Sequence, residues 1–214
     1  MTPSIDAPVP ASGPGSRPRG VVRARLLQAG VDLAGRGGPD AVVLREVTRL
    51  VGVAPNAAYR HFADRDALIS GVAAVALRRL AQAMLDRIDA LPTMAAPQRA
   101  AAALGEVGRA YVDFAVSEPG LFHTAFTVGT RPVLDGPGPH DVLTDALDEC
   151  VRCGVIAPAK REWADRFCWS AVHGFAELHV GGPLAAEPAA ARAAGLDVVL
   201  ARIGDALFRG DPAA

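Results

Sequence analysis

The chain has 214 residues, half of them hydrophobic and only 5% aromatic, so one or two compact domains with an Ala-, Val- and Leu-rich helical core are expected. No run approaches the roughly 18 uninterrupted apolar residues of a membrane span, and no apolar signal segment opens the chain; a cytoplasmic protein without membrane contact is expected. The net charge of −1 hides an asymmetry: residues 17–65 hold nine arginines against four acidic residues, and residues 66–214 hold 13 basic against 18 acidic ones. Such a basic first quarter suits a phosphate-binding head on an acidic body, although small windows of any surface vary by a few charges.

Residues 1–20 are rich in Pro, Ser, Gly and Ala without apolar periodicity, and read as a disordered arm. Arg17 and Arg19 close it, as a minor-groove arm or as a solvated tail. A first helix is expected over Val22–Arg36, with Leu26, Leu27, Val31, Leu33 and Ala34 inward and Gly37-Gly38-Pro39 as its stop.

Leu44–Phe62, LREVTRLVGVAPNAAYRHF, reads as two short helices joined by a tight turn. Val47, Leu50 and Val51 give the first, Leu44–Val51, a buried face. Gly52 can take positive φ to end it, and Val53 plugs the turn. Pro55 suits the first position of the next helix, expected over Pro55–Phe62. Ala58, Tyr59 and Phe62 form its apolar edge, leaving Asn56, Ala57 and Arg60 outward. A short helix with a small, polar and basic face can enter a DNA major groove.

The longer string GVAPNAAYRHFADRDALI, Gly52–Ile69, resembles the DNA-binding domain of the TetR (tetracycline-repressor-like) family of bacterial regulators, with Tyr59-Arg60-His61-Phe62 and Asp64-Arg65-Asp66 carrying most of the match. The resemblance implies that Arg45, Tyr59, His61 and Arg65 hold phosphates. Asn56, Ala57 and Arg60 are candidates for base edges: Asn for adenine, Ala for a thymine methyl, Arg for guanine. His61 otherwise ends its helix, and Tyr59 can pack while exposing its hydroxyl. Departures from the family pattern weaken the grip. Val43 stands where a Ser or Thr is common and Ala54 where a Ser is common, each removing an N-cap worth about 1 kcal/mol, and at Ala54 a phosphate contact. Thr48 replaces a common Ala and Asn56 a common Gly, while Pro55 stiffens the start of the helix.

Asp64 can N-cap a long fourth helix, Arg65 to about Ala90, which Leu91-Pro92 ends; in the family it joins the DNA-binding and effector domains. A fifth helix is expected over Gln98–Ser117, then a short one from Pro119 through Phe126, and a loop over Gly129–Pro139. A seventh follows from His140 to Cys153, an eighth from Ala159 to about Val180, and a ninth from about Pro188 to Phe208. The whole is all-α with about nine helices. It divides into an arm over 1–20, a three-helix head over 21–64, and a helical ligand-binding and dimerisation body over 65–209.

Trp169, His173 and Gly174 in the eighth helix, with SEPGLFHTAF over Ser117–Phe126, resemble the C-terminal domain of one TetR branch, called the WHG domain after those three residue types. The resemblance implies a small ligand inside the helical body that moves the fourth helix and changes the separation of two reading heads. Tyr111, Phe114, Phe122, Phe126, Trp169 and His173 are the candidates to line its site. Trp169 and His173, four apart on one face, serve packing, a dimer contact or the ligand.

Cys150-Val-Arg-Cys153 has the spacing of a thiol switch or of half a metal site, yet no second ligand pair lies nearby and Cys150 aligns with Leu143, Ala146 and Leu147, so burial explains it too. Three cysteines, an odd number, argue for a reducing compartment. No metal site or cofactor is expected, and His123, His140, His173 and His179 are scattered without sequence partners. The leading reading is a non-enzymatic, ligand-released repressor, homodimeric through the last two helices on a palindromic operator. An activator, a thiol sensor through Cys150 and Cys153, and a small helical enzyme or binding protein are the alternatives.

Overall fold

Runs of Ala, Leu and Val punctuated by Gly and Pro become nine α-helices and no strand among the residues described in the computed structural model, which are 19–127, 132 and 134–208. The expected arm lies outside the described residues up to residue 18. So do residue 128, 129–131 and 133 of the expected loop, and 209–214.

Helices α1 (Arg19–Gly37), α2 (Leu44–Val51) and α3 (Pro55–Ala58) gather at the start of α4 (Arg65–Asp89). Leu26 and Ala34 of α1, Val47 of α2, Ala58 of α3, and Leu68 and Val72 of α4 are fully buried, and Phe62 nearly so. The Arg23 guanidinium covers the Phe62 ring at 5.1 Å, closing the outer side of this small core. Gly52 ends α2 at φ 71°, ψ 42°, as its missing Cβ allows, and Asp64 accepts from the Ala67 N–H at 2.7 Å to cap α4.

The remaining helices are α5 (Ala96–Ser117), α6 (Pro119–Thr127), α7 (Pro139–Arg152), α8 (Ala164–Val180) and α9 (Ala189–Phe208). Helix α5 is central, packed on α4, α6, α7, α8 and α9. Its Leu104, Val107, Tyr111 and Phe114 are all buried, as their spacing requires. Arg87 of α4 pairs with Glu106 (2.9 Å) and Asp113 of α5, and Arg109 of α5 pairs with Asp197 of α9. Helix α4 is long and apolar enough by composition to cross a membrane, but half of that window is buried inside the protein, against α1, α5, α6 and α7.

Helix α6 also rests directly on α1. A Cβ added to Gly120 would lie 2.0 Å from the Ala34 carbonyl oxygen, so only glycine fits this crossing.

Three expectations are corrected. The eighth helix begins at Ala164 rather than Ala159: Pro158–Lys160 forms a single 3₁₀ turn, and Trp163 takes φ 65° before α8 starts. Leu50 is 44% exposed rather than buried, because Val47, Thr48 and Val51 fill the inward face of α2. The α-helical part of the reading helix is Pro55–Ala58 rather than Pro55–Phe62. Beyond it the His61 N–H reaches back three residues to the Ala58 carbonyl (2.8 Å), tightening the chain into a turn.

Candidate functional site

Two constellations stand at opposite ends of α4. The first is the outer face of α2 and α3. Asn56, Tyr59 and Arg60 are exposed, Ala57 and His61 half-buried, and Arg45 exposed on α2. Tyr59, expected on the apolar edge, is 56% exposed, because the turn after Ala58 swings it outward while Ala58 and Phe62 keep the core. Neither Val43 nor Ala54 makes a side-chain cap, so the first N–H groups of α2 and α3 lack that partner. Glu46 and Arg49 form a bidentate pair on α2 at 2.8 and 2.5 Å. The bond from Arg49 holds the Glu46 carboxyl below its ordinary range.

Arg65 is tied into the protein. Its Nε donates to the Val42 carbonyl (2.9 Å) and its Nη2 to the Pro39 carbonyl (2.6 Å), with Asp40 at 3.8 Å. The same residue that opens α4 thereby holds the segment leading into α2. The Ala67 N–H in the first turn of α4 is taken by Asp64.

The second constellation is a partly open cavity of about 420 Å³, within the range of drug-sized ligand sites. Leu77 and Met84 of α4, Leu104 and Val107 of α5, Val172 of α8, and Leu200 and Ile203 of α9 form its apolar wall. Of the six residues expected there, Tyr111, Phe126 and Trp169 line it. Phe114 and Phe122 belong to the core instead. The Phe122 ring is fully buried and meets Tyr111 edge-on at 5.7 Å, so it stiffens the wall from behind.

His173 also sits behind the wall and acts on it through Tyr111, whose Oη lies 2.7 Å from His173 Nδ1. The Trp169 indole N–H donates to the same oxygen at 3.2 Å. Burial holds the His173 imidazolium below its ordinary pKa of 6.5, against the pull of Glu177, so the ring is neutral at neutral pH. We assign its one proton to Nε2, the nitrogen on the side of the Glu177 carboxylate (Oε1 at 3.8 Å), so that Nδ1 accepts from the Tyr111 O–H. Burial pushes the Tyr111 hydroxyl well above its usual value, so it stays protonated.

The structure supplies the partners that the scattered histidines lack in sequence. His123 Nε2 lies 3.8 Å from Glu177 Oε2, His140 Nε2 lies 3.1 Å from Asp165 Oδ2, and His179 Nε2 lies 3.2 Å from Glu187 Oε2. Burial opposes charge on Asp165, but the bonds from His140 and from backbone N–H groups outweigh it and lower its pKa.

His140, Asp141 and Cys168 line the cavity and were missed in the sequence. His140 packs edge-on to Trp169 at 5.9 Å, a contact between α7 and α8 that no spacing along the chain announces. Cys168 had a signal: it precedes Trp169 on the inward side of α8. Burial pushes its thiol up to about 12. Cys150 is fully buried, donates to the Ala100 carbonyl at 3.3 Å, and is pushed up to about 11 by burial, with Cys153 adding to it. Both are held as thiols, which weakens the Cys150 half of the thiol-switch reading. Among the described residues no group of His, Cys, Asp and Glu is arranged to hold a metal ion.

Comparison with known proteins gives the family of the chain. Residues 26–72 match the family model for bacterial regulatory proteins of the tetR family, and residues 104–203 match that for the tetracyclin repressor-like C-terminal domain. No curated protein matches the chain. Among solved structures, a protein of unknown function from Rhodococcus sp. RHA1 is similar over 88% of this chain and 95% of its own, with 22% identity and a TM-score of 0.70. A TetR family transcription regulator from Marinobacter aquaeolei VT8 shares 14% identity over 88% of this chain and 96% of its own, with a TM-score of 0.61. A TetR variant from Acinetobacter baumannii AYE, in complex with minocycline, shares 18% identity over 84% of this chain and 92% of its own, with a TM-score of 0.59. These likenesses speak to fold; the two family models, which together span head and body, carry the assignment. The chain belongs to the TetR family of DNA-binding, ligand-responsive transcriptional regulators, which are not enzymes.

Proposed function

We propose that the protein is a repressor that binds a palindromic operator as a homodimer and is released when a small molecule enters the cavity. Residues 21–64 are the reading head and residues 65–209 the sensing and dimerisation body, its C-terminal part of the WHG type. The observation that carries this reading is the reach of α4. Arg65 at its start holds the Pro39 and Val42 carbonyls of the head, while Leu77 and Met84 further along it line the cavity. A ligand that shifts those two side chains acts on the element that carries the head.

On the head, Asn56, Ala57 and Arg60 are assigned to base edges, and Arg45, Tyr59, His61 and Arg65 to phosphates, with the backbone at Ala54 and Pro55 beside them. In the body, Tyr111, Phe126 and Trp169 contact the ligand and His173 sets the Tyr111 hydroxyl. The minocycline held by the A. baumannii protein supports a small organic effector in this fold.

Dimerisation through α8 and α9 is supported by what they leave uncovered. Phe167, Ser170, Gly174 and Leu178 are exposed along one stripe of α8, and Ala194, Val198 and Ala201 along one of α9. Both stripes follow helical spacing and are mostly apolar, the surface that a two-fold four-helix contact buries. Fluorescence anisotropy with DNA from upstream of the gene tests the function: specific, salt-sensitive binding that one effector abolishes is expected. Binding that ignores sequence and salt, or a monomer in sedimentation equilibrium, sinks the proposal.

A further inference from the structure

Resting on the reading of the cavity as the effector site, we propose that its ligand is an arylalkylamine, an aromatic ring carrying an aliphatic amine, bound as the protonated ammonium, rather than a neutral or anionic molecule. Among the lining side chains, Tyr111 and Asp141 offer hydrogen-bond acceptors. Tyr111 spends its proton on His173 Nδ1 and receives one from Trp169 Nε1, which leaves its remaining lone pair as an acceptor. The Trp169 N–H is spent in the same bond. Asp141, solvent-exposed at the start of α7, brings a carboxylate to the rim of the cavity, and only its Oδ2 is engaged, by the Gly138 N–H at 2.7 Å. Its other oxygen is available. Asp165 adds a second carboxylate behind His140, held in its charged form.

A ligand satisfying these groups must donate hydrogen bonds and tolerate two nearby negative charges. An ammonium does both, whereas a carboxylate or phosphate placed there faces acceptors and like charge. The rings of Tyr111, Phe126 and Trp169 offer aromatic faces to a flat ring system and to the cation it carries. The Cys168 thiol, held as S–H, is a weak donor and provides no competing anion.

The test uses the full chain carrying Trp163→Phe, so that of the two tryptophans only Trp169 reports by fluorescence. Naphthylmethylamine, naphthylmethanol and naphthoate, which share a ring system and differ in charge, are titrated at neutral pH. The amine is expected to bind about tenfold or more tighter than the alcohol, the loss of a charge-assisted bond, with the carboxylate weakest. Asp141→Asn, which keeps an oxygen for the Gly138 N–H, is expected to erase the advantage of the amine over the alcohol. Naphthoate binding as tightly as the amine, equal binding of amine and alcohol, or a preference surviving Asp141→Asn overturns the ligand class while the cavity stands as an effector site. Binding of none of the three overturns the cavity reading itself, and the ligand class with it.

Discussion

Tyr111 Oη lies 2.7 Å from His173 Nδ1, so the hydroxyl facing the cavity from α5 is positioned by a ring on α8. The Trp169 N–H completes the triad at 3.2 Å, and the aromatic wall is a hydrogen-bonded unit rather than a set of independent core rings. Tyr111→Phe removes only the oxygen and leaves both partners without it. A loss of about 1–3 kcal/mol is expected, toward the low end because Trp169 and His173 are half-buried. Urea denaturation reads this as a lower midpoint at unchanged slope, and an unchanged midpoint would contradict the triad.

His173 makes stability depend on pH. Burial lowers its folded pKa below the unfolded 6.5, with Glu177 opposing, so the unfolded chain takes up the proton first as pH falls. The stabilisation is therefore complete above 6.5 and lost as the pH drops through that value toward the folded one. His173→Asn, which keeps an acceptor near Nδ1 but does not titrate, is expected to flatten this part of the profile. Denaturation midpoints measured from mildly acidic to neutral pH decide it; identical slopes in both proteins would reject His173 as the source.

Arg65 joins α4 to the segment before α2 through two carbonyls at once. Arg65→Ala should cost about 1–3 kcal/mol and weaken DNA binding by loosening the head. Arg65→Lys should recover little of either, since an ammonium cannot span both acceptors as the planar fork does. Full rescue by lysine would show that charge alone matters there.

The missing caps are an open opportunity. Val43 (φ −109°, ψ 126°) and Ala54 (φ −64°, ψ 143°) already hold the extended backbone of an N-cap. Both side chains are exposed, so serine at either position disturbs no core. Val43→Ser and Ala54→Ser are each expected to add about 1 kcal/mol, raising the melting temperature by roughly 2–4 °C. Ala54→Ser should also tighten operator binding. Calorimetry and anisotropy on the same samples separate the two effects, and a melting temperature that fails to rise in both variants would refute the capping argument.

How much of this could be read in advance depended on the range of the interaction. The turn at Gly52, the cap at Asp64 and the stop at Leu91-Pro92 are local, each written within a few residues, and all stand where the sequence put them. The inward stripe of α5 is equally local, because helical spacing alone aligns Leu104, Val107, Tyr111 and Phe114. The start of α8 was misjudged because Trp163 adopts a left-handed conformation that its residue type does not advertise.

By itself, then, the sequence determined an all-helical chain with a short reading motif, a long connecting helix and an aromatic-bearing body, since these follow from periodicity, capping and turn chemistry. Tertiary structure decided the rest. It placed Phe114 and Phe122 in the core while Tyr111, Phe126 and Trp169 reached the cavity, and it brought His140 and Asp141 there from another helix. It also turned Arg65 onto Val42 and Pro39, and set His173 against Tyr111. Those contacts join residues tens of positions apart. Their geometry depends on how helices cross, which no local pattern encodes.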